Sequence, residues 1–248
     1  MLRKRLITLL TFVNGVLHRT KVFSPDYRYT VNFLDLWSVD EIILLDITRR
    51  STTDGMPFGS VIENFAEKCF VPLTAGGGIR NLEAAKLYFE SGSDKITINT
   101  GAIERPELIT EIASAYGSQS TVVSIDARRE LDNCYQVYSD FGQTPTGMTP
   151  VEWSREAEKS GAGEILLTSI DRDGSLLGYD IELCRQVSKA VNVPVIISGG
   201  AGNWRHFIQG YREGGADAVC ATNIYHLTEK SIKSFKILLG NNGINVRG

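Results

Sequence analysis

Two stretches of the sequence repeat one pattern at a spacing of about half its 248 residues. Phe70 to Asn81 (FVPLTAGGGIRN) and Asn192 to Asn203 (NVPVIISGGAGN) lie 122 residues apart. In each, a proline begins a short apolar run that leads to glycines and to an asparagine able to cap a helix. This order is typical of a buried parallel strand followed by a phosphate-binding turn. We therefore predict two half-barrels, at about residues 1–120 and 121–248.

Eight short runs rich in Val, Ile and Leu predict eight strands with helices between them. The runs are Arg5–Phe12, Glu41–Ile47, Val71–Ala75, Lys95–Asn99, Thr121–Asp126, Glu164–Ile170, Val193–Ser198 and Ala218–Thr222. Helix starts are predicted at Asn81, Pro106, Thr149 and Asp180, where Thr149 and Glu152 form a capping box. Strict alternation without antiparallel hairpins favours a parallel sheet. We predict an α/β fold, a (β/α)8 TIM barrel in a single domain spanning residues 1–248, with an open doubly wound sheet as the alternative.

Composition narrows the class of function. The net charge of −3 and the pI near 5.7 argue against nucleic-acid binding. The apolar run within residues 1–13 is shorter than a membrane span and fits the first strand better than a signal peptide. The four cysteines form no CxxC pair, which predicts buried, reduced thiols and a cytoplasmic protein. The three histidines lack metal-ligand spacing, so no metal and no cofactor are predicted.

Polar and glycine residues gather where the predicted strands end, which is the catalytic face of such a barrel. Each half supplies a glycine turn and the polar end of the next strand. This arrangement predicts a ligand with two phosphates, although glycines can also serve the shape of a tight turn. The predicted phosphate-binding residues are Gly77, Gly78, Asn99, Thr100, Asp173, Gly174, Gly199, Gly200, Thr222 and Asn223. For Asp173 and Gly174, capping of a turn is the alternative.

Longer motifs resemble a known family. Residues 161–174 (GAGEILLTSIDRDG), with TAGGGIRN, DKITINT and ISGGAG, are similar to the cyclase subunit of imidazole glycerol phosphate synthase. The resemblance covers essentially the whole chain. It implies a (β/α)8 barrel with two phosphate sites, docked on a glutaminase that passes ammonia through the barrel. Family members in histidine synthesis join this ammonia to a bisphosphorylated ribosyl-formimino substrate.

The resemblance also implies catalytic residues, one of which is altered here. The family uses an aspartate at the end of strand 1 and another at the end of strand 5 as acid and base. Asp126 matches the second position, whereas Thr11 stands at the first. A threonine hydroxyl does not exchange protons near neutral pH as a carboxylate does. Thr11 and Asp126 are therefore the candidate catalytic residues of a site with an altered acid–base pair.

Four charged residues stand at the starts of predicted strands: Arg5, Glu41, Lys95 and Glu164. By the same resemblance, they match a ring of two cations and two anions at the entrance of the ammonia path. The alternative is a salt-bridged plug that serves stability alone.

Three interpretations follow. The first is a paralogue supplied with ammonia by a glutaminase and diverted to sugar amidination in surface-polysaccharide synthesis, where a sugar amidotransferase would be a further partner. Family members associated with such sugars resemble this chain in departing at the strand 1 aspartate. The second is a working cyclase of histidine biosynthesis that tolerates Thr11. The third is a non-catalytic scaffold that binds a phosphorylated effector and activates the glutaminase.

Overall fold

The computed structural model describes residues 3–28, 39–49, 56–222 and 232–246. The strands of these residues are β1 (Arg5–Val13), β2 (Val16–Lys21), β3 (Ser24–Arg28), β4 (Glu41–Asp46), β5 (Leu73–Gly76), β6 (Lys95–Ile98), β7 (Thr121–Arg129), β8 (Tyr135–Ser139), β9 (Thr144–Pro145), β10 (Glu164–Ser169), β11 (Val195–Ser198) and β12 (Ala218–Ala221). The helices are α1 (Met56–Ala66), α2 (Leu82–Glu90), α3 (Thr100–Glu104), α4 (Glu107–Tyr116), α5 (Pro150–Lys159), α6 (Ile181–Ser188), α7 (Trp204–Arg212) and α8 (Ile232–Asn241).

Eight of these strands form a closed parallel barrel. Their order is β1, β4, β5, β6, β7, β10, β11 and β12, and β12 pairs again with β1. Every pair around the barrel is parallel. The predicted (β/α)8 TIM barrel is therefore confirmed, and the closing pairs exclude the open doubly wound sheet.

Three of the four predicted helix starts are confirmed by their caps, and α4 begins directly after the fourth, Pro106, without a side-chain cap. Asn81 accepts from the backbone N–H of Ala84, and Asp180 accepts from that of Leu183. Thr149 and Glu152 form the capping box of α5. These side chains satisfy backbone donors that the first turn of a helix leaves free.

The prediction that antiparallel hairpins are absent is wrong. β2 pairs antiparallel with β1 and with β3, and β8 pairs antiparallel with β7 and with β9. The first hairpin turns at Asn14 and Gly15, with φ angles of 49° and 74°. This dipeptide favours the type I′ turn, which requires positive φ at both positions. Each hairpin extends a barrel strand beyond the barrel, over the carboxyl face.

The core has two parts because residues alternate along each barrel strand. One set points outward and packs against the helices, as Leu6 and Leu10 of β1 do. The other set fills the barrel and consists of Ile7, Leu9, Ile43, Val122, Leu166, Ile196, Ala218 and Cys220. The cysteines are free thiols; Cys184 and Cys220 are buried, but Cys134 is exposed, so the prediction of burial is wrong there. Within the described residues, no helix is long and apolar enough to cross a membrane.

Candidate functional site

A cavity of about 240 Å³ opens at the carboxyl ends of the barrel strands. The structure brings to its lining all the predicted catalytic and phosphate-binding residues that it describes. They are Thr11, Gly77, Gly78, Asn99, Thr100, Asp126, Asp173, Gly174, Gly199, Gly200 and Thr222. Asn223 lies outside the described residues. Residues from both halves of the sequence thus share one cavity.

Asp126 lies on the inward-facing row of β7, and its carboxyl has the most strongly shifted pKa among the described acids of the cavity. The pKa of its carboxyl is raised to about 7, chiefly by burial and in smaller part by the nearby charge of Asp173. Hydrogen bonds from Ser124 and Asn99 oppose this shift. Asn99 Nδ2 donates to Asp126 Oδ2 at 2.6 Å, and Ser124 Oγ donates to Oδ1 at 3.3 Å. A carboxyl with a pKa near 7 can give or take a proton at neutral pH.

Thr11 lies in the cavity wall, but its hydroxyl already has a partner. Thr11 Oγ1 donates to the backbone carbonyl of His18 at 2.5 Å. His18 faces Thr11 in the antiparallel pairing of β1 with β2. The hydroxyl proton therefore fixes the first hairpin to the barrel and does not point at a ligand.

Two glycine turns border the cavity on different sides. At Gly77 φ is 114°, and a Cβ atom would lie 2.2 Å from the carbonyl oxygen of Asp46. At Gly200 φ is 100°, and a Cβ would lie 2.2 Å from the carbonyl oxygen of Gly178. The backbone at both positions excludes a side chain, so shape alone requires glycine there. The turns lead to α2 and α7, and the positive end of each helix dipole favours an anion near its first turn.

Two other predicted phosphate-binding residues hold the hairpins in place. The carboxylate of Asp173 accepts from Thr20 Oγ1 and from the backbone N–H of Phe23, both at 3.0 Å. Burial raises the pKa of Asp173, and these two hydrogen bonds offset part of that rise. Thr100 Oγ1 accepts from the backbone N–H of Asp140, also at 3.0 Å. The contacts of Asp173 agree with turn stabilisation, the alternative stated for it, and phosphate binding stays a prediction.

The turn between β2 and β3 meets the turn between β8 and β9 at the mouth of the cavity. A Cβ on Gly142 would lie 3.1 Å from the ring of Phe23. Phe23 and Phe141 both line the cavity. Non-glycine residues adopt positive φ in both turns: Val22 and Phe23 between β2 and β3, Asp140 and Phe141 between β8 and β9. Such angles are rare for valine and phenylalanine and mark strained turns.

At the opposite end of the barrel, the four predicted charges form a closed ring. Arg5 Nη1 donates to Glu41 at 2.6 Å and to Glu164 at 2.8 Å. Lys95 Nζ lies 3.3 Å from Glu41 and 3.1 Å from Glu164. Their side chains are 5–15 % exposed. Burial alone would lower the pKa of Arg5, but the carboxylates of Glu164 and Glu41 raise it above its ordinary value.

One layer of apolar side chains separates this ring from the cavity. On β1, the inward row runs from Arg5 through Ile7 and Leu9 to Thr11, so it joins the ring to the cavity wall. Ile7, Ile43, Val122, Leu166, Ile196 and Ala218 form the layer and are almost completely buried. Ring, layer and cavity thus follow one another along the barrel axis.

Sequence reasoning missed several residues that line the cavity. Arg19 and Arg80 are the cations among the described lining residues, and Arg80 also pairs with Glu104. Thr97 and Ser124 lie below Asn99 and Asp126 on the same inward rows. The signal for these two was the period-2 alternation along β6 and β7, which places each on the same face as a predicted site residue.

The closed barrel and its cavity define a (β/α)8 protein whose site is built from the loops at the carboxyl ends of the strands. The comparison with protein families adds the particular family. The sequence model described as "Histidine biosynthesis protein" matches residues 9–230, which is most of the chain. The chain belongs to this histidine biosynthesis protein family. Family and barrel together support a protein like the cyclase subunit, as the motifs predicted.

Proposed function

We propose that this protein is the barrel subunit of a glutamine-dependent complex. A glutaminase releases ammonia at the charged ring, the ammonia crosses the barrel, and a phosphorylated acceptor receives it in the cavity. The observation that carries the proposal is the closed ring of Arg5, Glu41, Lys95 and Glu164, on the same axis as the cavity. Burying four charges is costly even when they are paired. A structural plug could be built from apolar residues at lower cost, so the ring supports a function at this end.

The surface beside the ring supports a protein partner there. Phe70 precedes β5, at the amino end of a barrel strand, where the ring also lies. Its side chain is 81 % exposed. Exposed aromatic side chains are frequent anchors of protein interfaces. A glutaminase docked on this face would cover Phe70 and release its product over Lys95 and Arg5.

The proposal also specifies the class of molecule that accepts the ammonia. Thr11 has no ionisable group, and its hydroxyl is bonded to the His18 carbonyl. Asp126 therefore lacks the strand 1 carboxylate with which it would share proton transfers in ring closure. This favours an acceptor that needs only one acid or base at the site, and we propose a phosphorylated sugar intermediate or a sugar amidotransferase bound at the cavity mouth.

A second candidate function is a working cyclase, and one observation favours it. The carboxylate of Asp173 lies in the same cavity and is close enough to raise the pKa of Asp126. The pKa of Asp173 itself is raised by burial. Asp173 is therefore a second acid that could take the role of the missing aspartate, although it must also hold the first hairpin.

Cyclisation measured without a glutaminase separates the two candidates. The purified protein is mixed with an ammonium salt and the ribosyl-formimino bisphosphate, and imidazole formation is followed. Losing one proton-transfer group typically lowers a rate by about 10²–10⁴, so we expect turnover at least that far below a working cyclase. Thr11→Asp should raise it, whereas the matched Thr11→Asn should not. Ordinary cyclase turnover that Asp173→Asn abolishes would establish the second candidate instead.

Isotope transfer tests the passage of ammonia. Glutaminase, barrel and acceptor are supplied with amide-¹⁵N glutamine in the presence of excess unlabelled ammonium. Label in the product despite the unlabelled pool would show transfer through the complex. Opening the ring with Lys95→Met should lower that labelled fraction, while Lys86→Met, on exposed α2, should not. Glutaminase activation without any labelled product would favour the scaffold interpretation.

A further inference from the structure

A second cavity, of about 280 Å³, lies beside the main cavity at the carboxyl face of the barrel. Its apolar walls come from Val13, Phe23, Pro25, Ile47 and Phe141. Three of these side chains, Phe23, Ile47 and Phe141, also line the main cavity. None of the predicted catalytic or phosphate-binding residues that the structure describes lines the second cavity. It is therefore a separate candidate site, which the proposed function does not use.

Arg49 is the charged residue in the described lining of this cavity. The central carbon of its guanidinium lies 5.4 Å from the centre of the Phe141 ring, which is a cation–π distance. The side-chain oxygen of Gln143 accepts from Arg49 Nη1 at 2.8 Å and from Nη2 at 2.6 Å. The opposite orientation of this amide would place its NH₂ group against N–H donors. The ring and the amide together hold the guanidinium in place beside the cavity.

The donors that line the second cavity are not exhausted by these contacts. A guanidinium has five N–H donors, and the described lining contains no carboxylate. Thr48 Oγ1 accepts from the backbone N–H of Asn14 at 2.7 Å, so its hydroxyl can still donate. The carboxylate of Asp46 accepts from the backbone N–H of Thr48 at 3.0 Å, but Asp46 lines the main cavity and not this one. The second cavity thus combines apolar walls with hydrogen-bond donors and a positive charge.

We propose that the second cavity binds a small aromatic anion, a single ring that carries a carboxylate or a phosphate. Two of its walls are phenyl rings, which favour an aromatic partner beyond the area that they bury. The anion would accept from Arg49 and from Thr48. An apolar cavity of about 150 Å³ holds benzene, so about 280 Å³ leaves room for a ring and its anionic group. A cation would be repelled by Arg49, and an anion without a ring would leave the apolar walls in water.

A ligand at this site would contact both turns at the mouth of the main cavity. Phe23 lies in the turn between β2 and β3, and Phe141 lies in the turn between β8 and β9. Both residues line both cavities. The inference goes beyond the proposed function and does not depend on it, because neither a glutaminase nor the passage of ammonia is involved.

Titration of the purified protein with benzoate tests the site. The methyl signals of Val13 and the Nε–H signal of Arg49 report on the second cavity, and the methyl signal of Ala201 reports on the main one. These signals are followed in NMR spectra at neutral pH and constant ionic strength. We expect saturable shifts of Val13 and Arg49 with benzoate, and much weaker binding of acetate, which lacks the ring, and of benzyl alcohol, which lacks the charge.

Further probes distinguish the kinds of anion. Saturation by phenyl phosphate but not by benzoate would support a site for an aromatic phosphate. If neither probe gives saturable shifts at Val13 and Arg49, the proposal is wrong, even if Ala201 responds. Benzylammonium chloride that binds as tightly as benzoate would also overturn it, since the site would then show no preference for negative charge.

Variants test the role of the guanidinium. Arg49 is exposed, so Arg49→Gln should fold normally, and we expect roughly tenfold weaker benzoate binding, as for lost hydrogen bonds to a charged group. Arg49→Lys keeps the charge without the planar pair of donors and should bind with intermediate affinity. The matched control is Arg155→Gln, an exposed arginine of α5 whose Nε donates to the carbonyl of Ala190. Equal affinity in Arg49→Gln and the unaltered protein would refute the assignment.

Discussion

Replacing Asp126 by asparagine should stabilise the protein above neutral pH. Burial raises the pKa of Asp126 to about 7 in the folded protein, against about 3.9 in an unfolded chain. A difference of about 3 pKa units corresponds to about 4 kcal/mol for the ionised carboxylate. Asparagine does not ionise and can still accept from Asn99 Nδ2. We expect a gain in unfolding free energy of about 2–4 kcal/mol at pH 8, the lower value reflecting weaker hydrogen bonds to an amide.

The gain should depend on pH with a definite sign. Because the folded pKa is the higher one, the folded protein holds an extra proton between about pH 4 and pH 7. Its unfolding free energy therefore falls as pH rises through this window and levels off above it. The difference between Asp126→Asn and the unaltered protein should be near zero at pH 4 and full at pH 8. The unfolding free energy of Asp126→Asn should still fall somewhat with rising pH, because the pKa of Asp173 is raised as well.

Urea unfolding followed by tryptophan fluorescence from pH 4 to pH 8 measures this difference. Asp140→Asn is the matched control, since Asp140 is an exposed carboxylate at the cavity mouth with φ of 47°, which asparagine tolerates well. We expect the control to stay within about 0.5 kcal/mol at every pH. A loss of stability in Asp126→Asn at pH 8, or a gain that does not change with pH, would refute the reasoning.

Two further predictions concern the ring and the first hairpin. Lys95→Met leaves Glu41 and Glu164 with Arg5 alone, which should lower the free energy of unfolding, measured in urea, by about 3–5 kcal/mol. Adding Glu164→Gln restores a neutral pair, so the double variant should be at least about 1 kcal/mol more stable than the sum of the two single effects predicts. Strict additivity would contradict a coupled ring. Val22→Gly should raise the melting temperature by a few degrees, because Val22 has φ of 50° and glycine adopts that angle without strain. Val16→Gly, in regular β2, should lower it, and a lower melting temperature for Val22→Gly would show that the turn is not strained.

The barrel could be predicted from local pattern because its strands are short apolar runs separated by clear helix caps. The runs around Leu73, Ile96 and Val195 are buried on both faces, which is why they read as continuous apolar segments. The hairpins were missed although Asn14–Gly15 is a strong turn signal. The residues on either side of this dipeptide also fit the end of a barrel strand followed by a loop. The alternation of strands and helices therefore led to the prediction of a loop and not of a hairpin.

The site was predictable in position but not in its contacts. Asp126, Asn99 and both glycine turns could be placed at the site because they follow the carboxyl ends of predicted strands. The bonds of Thr11 to His18 and of Asp173 to Phe23 join residues 7 and 150 positions apart. The first contact follows from the hairpin register, because the two-residue turn at Asn14–Gly15 places Thr11 opposite His18. Nothing local in the sequence specifies the second contact, since it depends on how the chain folds back over the barrel. The second cavity is likewise visible only once every neighbour is placed.

For the proposed passage of ammonia through the barrel, the apolar layer around Ile7, Val122 and Leu166 would act as a filter. A hydrated ion entering it would lose its water shell, at a cost of several kcal/mol that no side chain of the layer can offset. A small uncharged molecule loses far less. Transit must also await brief side-chain rearrangements, because the layer is close-packed at rest. Enlarging one of these side chains should therefore slow the proposed passage of ammonia along the barrel axis without changing the charged ring or the cavity.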